Sequence, residues 1–181
     1  MNIRLIAGRY GGRVLACPPG SATHPMGERI RGSLFNILGD ITGKTVLDAF
    51  AGLGSLGLEA LSRGAVSATF IERNNVAQRV IDENITTLGV QAETHSITTS
   101  VAQWSETARG QYFDIIFADP PYHNMQLSTV ARLVKYLQPN GLMVVSYLGR
   151  ESVPTVNGVV VVDNRSYGDA ALAFYRLITR N

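Results

Sequence analysis

A glycine-rich segment contains the first residues that could bind a ligand. It runs from Asp48 to Gly57 with the sequence DAFAGLGSLG, and its glycines have the spacing of the dinucleotide-binding fingerprint. Glycines let the backbone turn tightly and approach a ligand where a Cβ would clash. Glu72 follows Gly52 at the spacing of an acid that accepts hydrogen bonds from ribose hydroxyls. The pattern predicts a nucleoside-containing cofactor, and the alternative is a glycine turn that serves only strand-to-helix packing.

Asp48 indicates which nucleoside cofactor this would be. Its carboxylate stands at the end of an apolar run, directly before the glycine loop. There it would repel a pyrophosphate but favour the ammonium of a methionine moiety, directly or through water. The charge therefore favours S-adenosylmethionine over NAD. The segment also resembles the first motif of class I methyltransferases, which implies the following cofactor contacts: Asp48, Phe50, Ala51, Gly52, Gly54, Glu72 and Arg73.

The tetrapeptide Asp119, Pro120, Pro121 and Tyr122 is the second group that could do chemistry. It directly follows the apolar run 113–118, and ligands of open parallel sheets bind outside the carboxyl ends of the strands. We therefore expect it beside the cofactor, where its residue types suit methylation of an aromatic amine. Such an amine is a poor nucleophile because its lone pair is delocalised into the ring.

Each member of the tetrapeptide has a predicted part in that reaction. The Asp119 carboxylate and the Pro120 carbonyl can each accept one amine hydrogen, and the prolines stiffen the turn before the reaction. Tyr122 can stack on the target base, a contact worth roughly 1–3 kcal/mol. Whether Asp119 or water takes the surplus proton is left open. The tetrapeptide resembles that of the amino-methyltransferases of DNA, RNA and some proteins, and the alternative is a proline-rich loop that merely closes a strand.

Apolar strands and amphipathic helices alternate along the chain after Gly43 and predict the frame that positions both groups. Strands are predicted over 45–50, 68–72, 91–96, 113–118 and 142–148, and helices over 55–63, from Val76 through Ile85, and from Leu127 through Leu137. Continuous apolar strands of this kind form a mostly parallel sheet covered on both faces. The predicted fold is an α/β, Rossmann-like sheet of seven strands.

The two ends of the chain depart from this alternation. Strand-like runs at 159–162 and 170–178 are joined only by the turn-rich stretch 164–169, which is too short for a parallel crossover. An antiparallel hairpin is therefore expected at the sheet edge. At the other end, runs 3–7 and 13–16 flank glycines and predict a small hairpin, followed by a loop over 17–26 and a helix from Glu28. We predict one domain over 1–181, divided into N-terminal elements over 1–42 and a catalytic core over 43–181.

Positive charge is concentrated in these N-terminal elements. The net charge of the 181 residues is only +2, yet residues 1–44 carry six Lys and Arg side chains against two acids. A local cationic excess suits contact with a polyanion. The candidate RNA-contacting residues are Arg4, Arg9, Arg13, Arg29 and Arg31. The alternative is an ordinary solvated surface in which these arginines only aid solubility.

The chain as a whole resembles the bacterial small-subunit ribosomal RNA guanine-N2 methyltransferases of family D. The likeness rests on the opening IRLIAGRYGGRVL, the block from Thr23 to Asn36, the glycine loop, the DPPY tetrapeptide and the late Tyr167–Gly168 pair. It implies transfer of one methyl group to the N2 amine of a guanine in 16S ribosomal RNA, either free or in the assembled small subunit. The chain departs from the family pattern at four positions of the second block: His24, Met26, Glu28 and Gly32.

Composition narrows the remaining possibilities. No run approaches the roughly 20 apolar residues of a membrane helix, and the start lacks a signal-peptide pattern, so we expect a cytoplasmic protein without membrane contact. The single Cys17 and three scattered histidines offer no metal-ligand spacing, so no metal is predicted. Trp104 is expected to pack on the sheet and His123 to have no catalytic part. We expect a monomer.

Two other functions remain open. The same amine chemistry could act on a DNA adenine or a protein glutamine, although sequence-reading DNA enzymes usually need further recognition elements. A non-catalytic RNA-binding assembly factor could also keep this fold, but the intact Asp48, Glu72 and DPPY tetrapeptide disfavour it.

Overall fold

The computed structural model describes residues 2–20 and 24–178, so Thr23 and part of the predicted loop 17–26 lie outside the described residues. The strands are β1 (Ile3–Arg4), β2 (Val14–Leu15), β3 (Thr45–Asp48), β4 (Ser67–Glu72), β5 (Thr94–Thr98), β6 (Phe113–Ala118), β7 (Leu137–Leu148), β8 (Val159–Ser166) and β9 (Ala170–Leu177). The α-helices are α1 (Glu28–Leu38), α2 (Ser55–Ser62), α3 (Asn75–Leu88), α4 (Val101–Thr107) and α5 (Leu127–Leu133).

The main sheet has seven strands in the order β5-β4-β3-β6-β7-β9-β8. Its first five strands pair in parallel, whereas β9 pairs antiparallel with both β7 and β8. The predicted α/β fold is confirmed, as are the C-terminal hairpin and the N-terminal β1–β2 pair. The order of the strands reverses at β3. The chain first places β4 and β5 on one side of β3 and then crosses to β6 on the other side. Ligands of such folds bind at this switch point, where Asp48 ends β3 and Asp119 directly follows β6.

Alternating side chains of the strands pack into a core on each face of the sheet. On one face Val46, Phe70 and Phe117 meet apolar residues of α1, α2 and α3, and the Phe35 and Phe117 rings lie 5.6 Å apart in an edge-on arrangement. On the other face Leu47 and Ile116 meet residues of α4 and α5. Both faces are therefore covered, which holds the strand ends rigidly in register.

Several elements differ from their predicted bounds. Residues Gln91–Glu93 form a 3-10 turn, so β5 begins three residues later than predicted, and the helix predicted through Leu137 ends at Leu133 before another 3-10 turn. Strand β8 continues through a polar stretch to Ser166, because an edge strand can leave its side chains in water. The hairpin turn is consequently shorter, with Tyr167 N–H donating to Ala170 O at 2.7 Å.

Helix α4 was not predicted from the sequence. It has only seven residues, and its start is capped by Ser100, whose hydroxyl accepts from Gln103 N–H at 3.1 Å. Trp104 of this helix is buried against Tyr136, with ring centroids 4.5 Å apart, in agreement with its expected packing. Among the described residues, no helix has the length and apolar character needed to cross a membrane.

Glu59 of α2 anchors the N-terminal hairpin. Its carboxylate is fully buried and accepts from Ile6 N–H at 2.9 Å, from Ala7 N–H at 3.3 Å and from Arg63 Nε at 2.8 Å. Ser62 adds two more bonds, donating to Ala7 O and accepting from Tyr10 N–H. The hairpin is therefore bound to the core through a buried acid that the sequence did not single out.

Replacing Glu59 with alanine is expected to lower the free energy of unfolding by about 3 kcal/mol, because it leaves two backbone donors and a guanidinium without their acceptor. Urea denaturation measures the change. The matched control is Glu106→Ala, since Glu106 makes an exposed ion pair with Arg132 at 3.4 Å and its loss should cost little. Equal effects of the two substitutions would contradict the anchoring role.

Candidate active site

The glycine loop joins β3 to α2 at the switch point of the sheet. Gly54 has φ of 83° and stands directly before the first residue of α2, a left-handed conformation that side chains rarely adopt. A Cβ on Gly57 would lie 2.3 Å from the Phe70 ring, so this glycine allows the helix to pack on the sheet. The glycines thus serve both the turn and the packing, as in the dinucleotide fingerprint.

Glu72 ends β4 with its carboxylate held from two sides. Gly52 N–H donates to Oε2 and Asn74 N–H donates to Oε1, both at 2.8 Å. The half-buried carboxylate faces a cleft and keeps free lone pairs on each oxygen. This geometry suits an acceptor for two neighbouring hydroxyl groups.

Asp48 is buried beneath the loop. Its Oδ2 accepts from Gly57 N–H at 3.0 Å, which satisfies one of the free donors in the first turn of α2. Burial raises the pKa of Asp48 to about 8, the Gly57 N–H opposes the rise, and the charges of Asp119 and Glu72 add to it. The side chain does not form part of the cleft wall, so it would act on a ligand through the loop that it holds. With a pKa of about 8 the carboxyl group is mostly protonated at neutral pH, and a nearby cation would favour its ionised form.

The cleft lies outside the carboxyl ends of β3, β4 and β6 and has a volume of about 450 Å³, open to solvent. Four residues predicted from the sequence line it: Phe50, Glu72, Arg73 and Pro121. Ala51 is buried instead, with its N–H donating to Ile71 O at 3.0 Å. This volume includes space that is open to solvent.

Part of the cleft wall could not be assigned from the sequence. Thr99, Ser100 and Val101 follow β5 and form one side, and Gln126 closes the opposite side beside Pro121. The position of 99–101 just after the carboxyl end of a strand was the available signal, but the stretch 96–101 lacks an acid that could accept from a base amine, so its contacts stayed unassigned. Gln126 has φ of 48°, an uncommon conformation for a residue other than glycine.

The DPPY tetrapeptide leaves β6 next to this cleft. Pro120 is buried, Pro121 is exposed on the cleft wall, and Tyr122 is half-buried with its hydroxyl 2.7 Å from Ser146 Oγ. Burial raises the pKa of Asp119 to about 6, and the Ser146 hydroxyl opposes that rise. Asp119 is therefore an acceptor that is mostly ionised at neutral pH.

A second, small depression adjoins the tetrapeptide on the other side. Asp119 and Ser146 line it together with Met26 and Leu34, which belong to the N-terminal elements. Met26 is one of the four departures from the family pattern noted above. The N-terminal elements therefore reach the reactive loop and are not confined to a distant surface.

Four of the five candidate RNA-contacting arginines are exposed: Arg4, Arg9, Arg13 and Arg29. Arg9 pairs with Glu93 at 3.2 Å and lies over the Tyr10 ring, and Arg13 donates to Thr87 O at 3.2 Å. These contacts hold the two guanidinium groups against α3 and its following turn while leaving them accessible. The hairpin thus presents charge at the surface.

Arg31 differs from the other four, and its prediction as an RNA contact is corrected. The residue is only 2% exposed, and its guanidinium donates to Met26 O at 2.8 Å and to Arg4 O at 2.5 Å. The spacing within α1 could not show that its side chain points inward. Arg31 instead joins the hairpin to the segment that borders the reactive loop.

Solved structures share this architecture over nearly the whole chain. The candidate methyltransferase yhhF from Escherichia coli is 31% identical, with a TM-score of 0.87 and coverage of 98% of both chains. A methylase-like protein from Haemophilus influenzae is 30% identical, with a TM-score of 0.82 and coverage of 99% of this chain and 100% of its own. The fold and the site define a class I methyltransferase that uses S-adenosyl-L-methionine.

Sequence relatives specify the family within this class. The family model described as Conserved hypothetical protein 95 matches residues 3–176. The ribosomal RNA small subunit methyltransferase D of Haemophilus influenzae is 31% identical over 97% of this chain and 94% of its own length. That of Escherichia coli K12 is 35% identical over 86% of this chain and 79% of its own. The chain belongs to the ribosomal RNA small subunit methyltransferase D family.

Proposed function

We propose that the protein transfers a methyl group from S-adenosylmethionine to the exocyclic N2 amine of one guanine in 16S ribosomal RNA. The observation that carries the proposal is the position of Asp119, which lines the depression bordered by Met26 and stands two residues before Pro121 on the wall of the cleft. Family membership supports ribosomal RNA as the substrate. The choice of the guanine N2 amine rests on the family resemblance found in the sequence.

The charges around the cleft fit the proposed cofactor. Burial is the main cause of the raised pKa of Asp48, and the charges of Asp119 and Glu72 add to it, so a cationic ligand would favour the ionised form of Asp48. The cofactor carries both a sulfonium and an ammonium group, and when bound it supplies the activated methyl group. Glu72 would accept from its ribose hydroxyls, and Val101 and Ile71 would pack against its base.

The tetrapeptide would hold the acceptor. The Asp119 carboxylate and the Pro120 carbonyl each accept one hydrogen of the amine, so the nitrogen lone pair is directed towards the cleft. Tyr122 stacks on the base, and its ring is fixed because its hydroxyl binds Ser146. Positioned acceptors of this kind lower the barrier by removing the ordering cost from the reaction step.

The exposed arginines would hold the RNA. Phosphate contacts position a nucleic acid without reading its sequence, and Arg4, Arg9, Arg13 and Arg29 present four guanidinium groups for such contacts. Arg31 connects the hairpin with the Met26 segment, so RNA bound at the hairpin would be held at a defined distance from Asp119. A paired or buried guanine must still be flipped out of its stack before transfer.

Reversing Arg9 and Arg13 to glutamate is expected to weaken RNA binding and to make its salt dependence shallower, by about one in the slope of log K against log salt for each lost phosphate contact. Binding titrations at several salt concentrations measure the slope. The control reverses Arg109 and Arg132 to glutamate, so the net charge changes equally. These two residues lie beside α4 and in α5, on the other face of the sheet. An unchanged slope in the first variant would place the RNA elsewhere.

The proposal is tested by offering a panel of acceptors together with methyl-labelled S-adenosylmethionine. The panel has three kinds of acceptor. The first is 30S subunits and 16S RNA from cells that lack the protein, the second is duplex DNA, and the third is a protein extract whose glutamine side chains could accept a methyl group. Label in the ribosomal RNA alone supports the proposal. Label in DNA or protein would redirect the same amine chemistry to another substrate, and RNA binding without any label would favour an assembly factor.

A further inference from the structure

Ser146 is a buried polar residue that neither the sequence motifs nor the family resemblance singled out. It lies in β7 and is 2% exposed. Ala118 of β6 pairs with Val145 of β7, so the next residues along these parallel strands, Asp119 and Ser146, lie side by side at the carboxyl edge of the sheet. A hydroxyl group is therefore placed directly beside the proposed acceptor.

Ser146 lies within hydrogen-bond distance of one hydroxyl group and beside one carboxylate. Its Oγ lies 2.7 Å from the Tyr122 hydroxyl, and it shares with Asp119 the depression bordered by Met26. A serine hydroxyl has one proton. When that proton is directed to the Asp119 carboxylate, which can only accept, the Tyr122 hydroxyl must donate to Ser146. The three groups then form one chain from Tyr122 through Ser146 to Asp119.

We propose that Ser146 is a positioning residue for methyl transfer, linking Tyr122 to Asp119 so that the stacking ring and the acceptor carboxylate keep one mutual arrangement. The inference rests on the proposed function. Within it, Ser146 occupies one side of the Asp119 carboxylate and leaves the other for the acceptor amine. A cooperative chain of this kind holds its members more firmly than separate bonds would.

The ionisation of Asp119 provides a readout that packing alone would not change. Burial raises the pKa of Asp119, and the Ser146 hydroxyl lowers it by stabilising the charged form. The other titratable groups facing this carboxylate are Asp48 of β3 and Tyr122 of its own loop. Removing the Ser146 hydroxyl should therefore raise the pKa of Asp119, and the carboxylate form needed for transfer would be lost at a higher pH than in the wild type.

The experiment compares Ser146→Ala with the wild type on 16S RNA or 30S subunits. We expect kcat to fall roughly tenfold, the KM for S-adenosylmethionine to stay unchanged, and the acid limb of the kcat profile to move to higher pH. Tyr122→Phe breaks the same chain at its other end, so the double variant should lose less than the product of the single losses. The matched control is Ser105→Ala, because Ser105 is 1% exposed and its one hydroxyl partner among the described residues is Ala102 O of its own helix, at 2.7 Å.

Carbon-13 NMR titration of the Asp119 carboxyl group supplies a readout independent of turnover, and the inference predicts a higher midpoint in Ser146→Ala than in Ser105→Ala. If the wild type is active but Ser146→Ala has an unchanged kcat and an unchanged midpoint, the inference is overturned and the proposed function is not affected. Fully multiplicative losses in the double variant would likewise overturn the chain. Absence of any transfer by the wild type would contradict the proposed function and the inference with it.

Discussion

Replacing Asp119 with alanine should lower kcat by about 10²- to 10³-fold, the cost typical of removing one positioned group that stabilises a reacting centre. The substitution removes an acceptor of the amine hydrogen, so the nitrogen lone pair is no longer directed towards the methyl group. Affinity for S-adenosylmethionine should stay within a factor of about two to three, because Asp119 does not line the cofactor cleft. Single-turnover methyl transfer and calorimetric titration of the cofactor separate the two quantities.

Asp119→Asn is the matched comparison for this prediction. Asparagine keeps one carbonyl acceptor at the same distance but removes the negative charge, so we expect an intermediate loss. The small-subunit RNA must be saturating, so that weak RNA binding cannot imitate a chemical defect. Full turnover by Asp119→Ala would show that another group orients the amine.

Replacing Glu72 with alanine should weaken cofactor binding by about 10- to 100-fold, which corresponds to the loss of hydrogen bonds to a charged acceptor. Glu72 offers lone pairs to the proposed ribose hydroxyls, and it also holds the loop through Gly52 and Asn74. Calorimetric titration with S-adenosylmethionine measures the change in Kd.

Glu72→Gln tests whether the charge or the shape matters. Glutamine keeps one oxygen acceptor and nearly the same volume, so its effect should lie between those of wild type and Glu72→Ala. The midpoint of thermal unfolding, measured without ligand, detects any collapse of the glycine loop. A Kd within twofold of wild type in Glu72→Ala, with a stable fold, would remove Glu72 from the cofactor site.

Periodicity and the rule for ligands of parallel sheets were sufficient to predict how the sheet is built and where its two reactive segments meet. Asp48 and Asp119 each follow an apolar run, and parallel strands bring their carboxyl ends to one edge. Helix α4 was missed because only Val101 and Trp104 among its seven residues are large apolar ones, which is too few to show a helical period. The polar half of β8 was missed because an edge strand needs no apolar alternation. Both features depend on the tertiary structure, which the local sequence pattern does not show.

The directions of side chains and their long-range hydrogen-bond partners could not be predicted from the sequence. The spacing of α1 suggested a basic surface, yet Arg31 turns inward to bind the Met26 and Arg4 carbonyls. Ser146 carries no motif and becomes important only because the register of β6 and β7 places it beside Asp119. Glu59 likewise has no distinctive position in the sequence, and only the fold shows that the hairpin amides donate to its carboxylate. Such contacts join residues far apart in the chain, so single-sequence spacing cannot reveal them.

Identification of the methylated nucleoside would decide whether the acceptor assignment is correct. Ribosomal RNA from subunits lacking the modification is incubated with the protein and labelled S-adenosylmethionine, digested to nucleosides and separated by chromatography with mass detection. We expect a single labelled product, N2-methylguanosine, from one site in 16S RNA. Label in N6-methyladenosine, or in a ring-nitrogen or ribose methyl, would contradict the guanine N2 assignment while leaving the cofactor cleft in place.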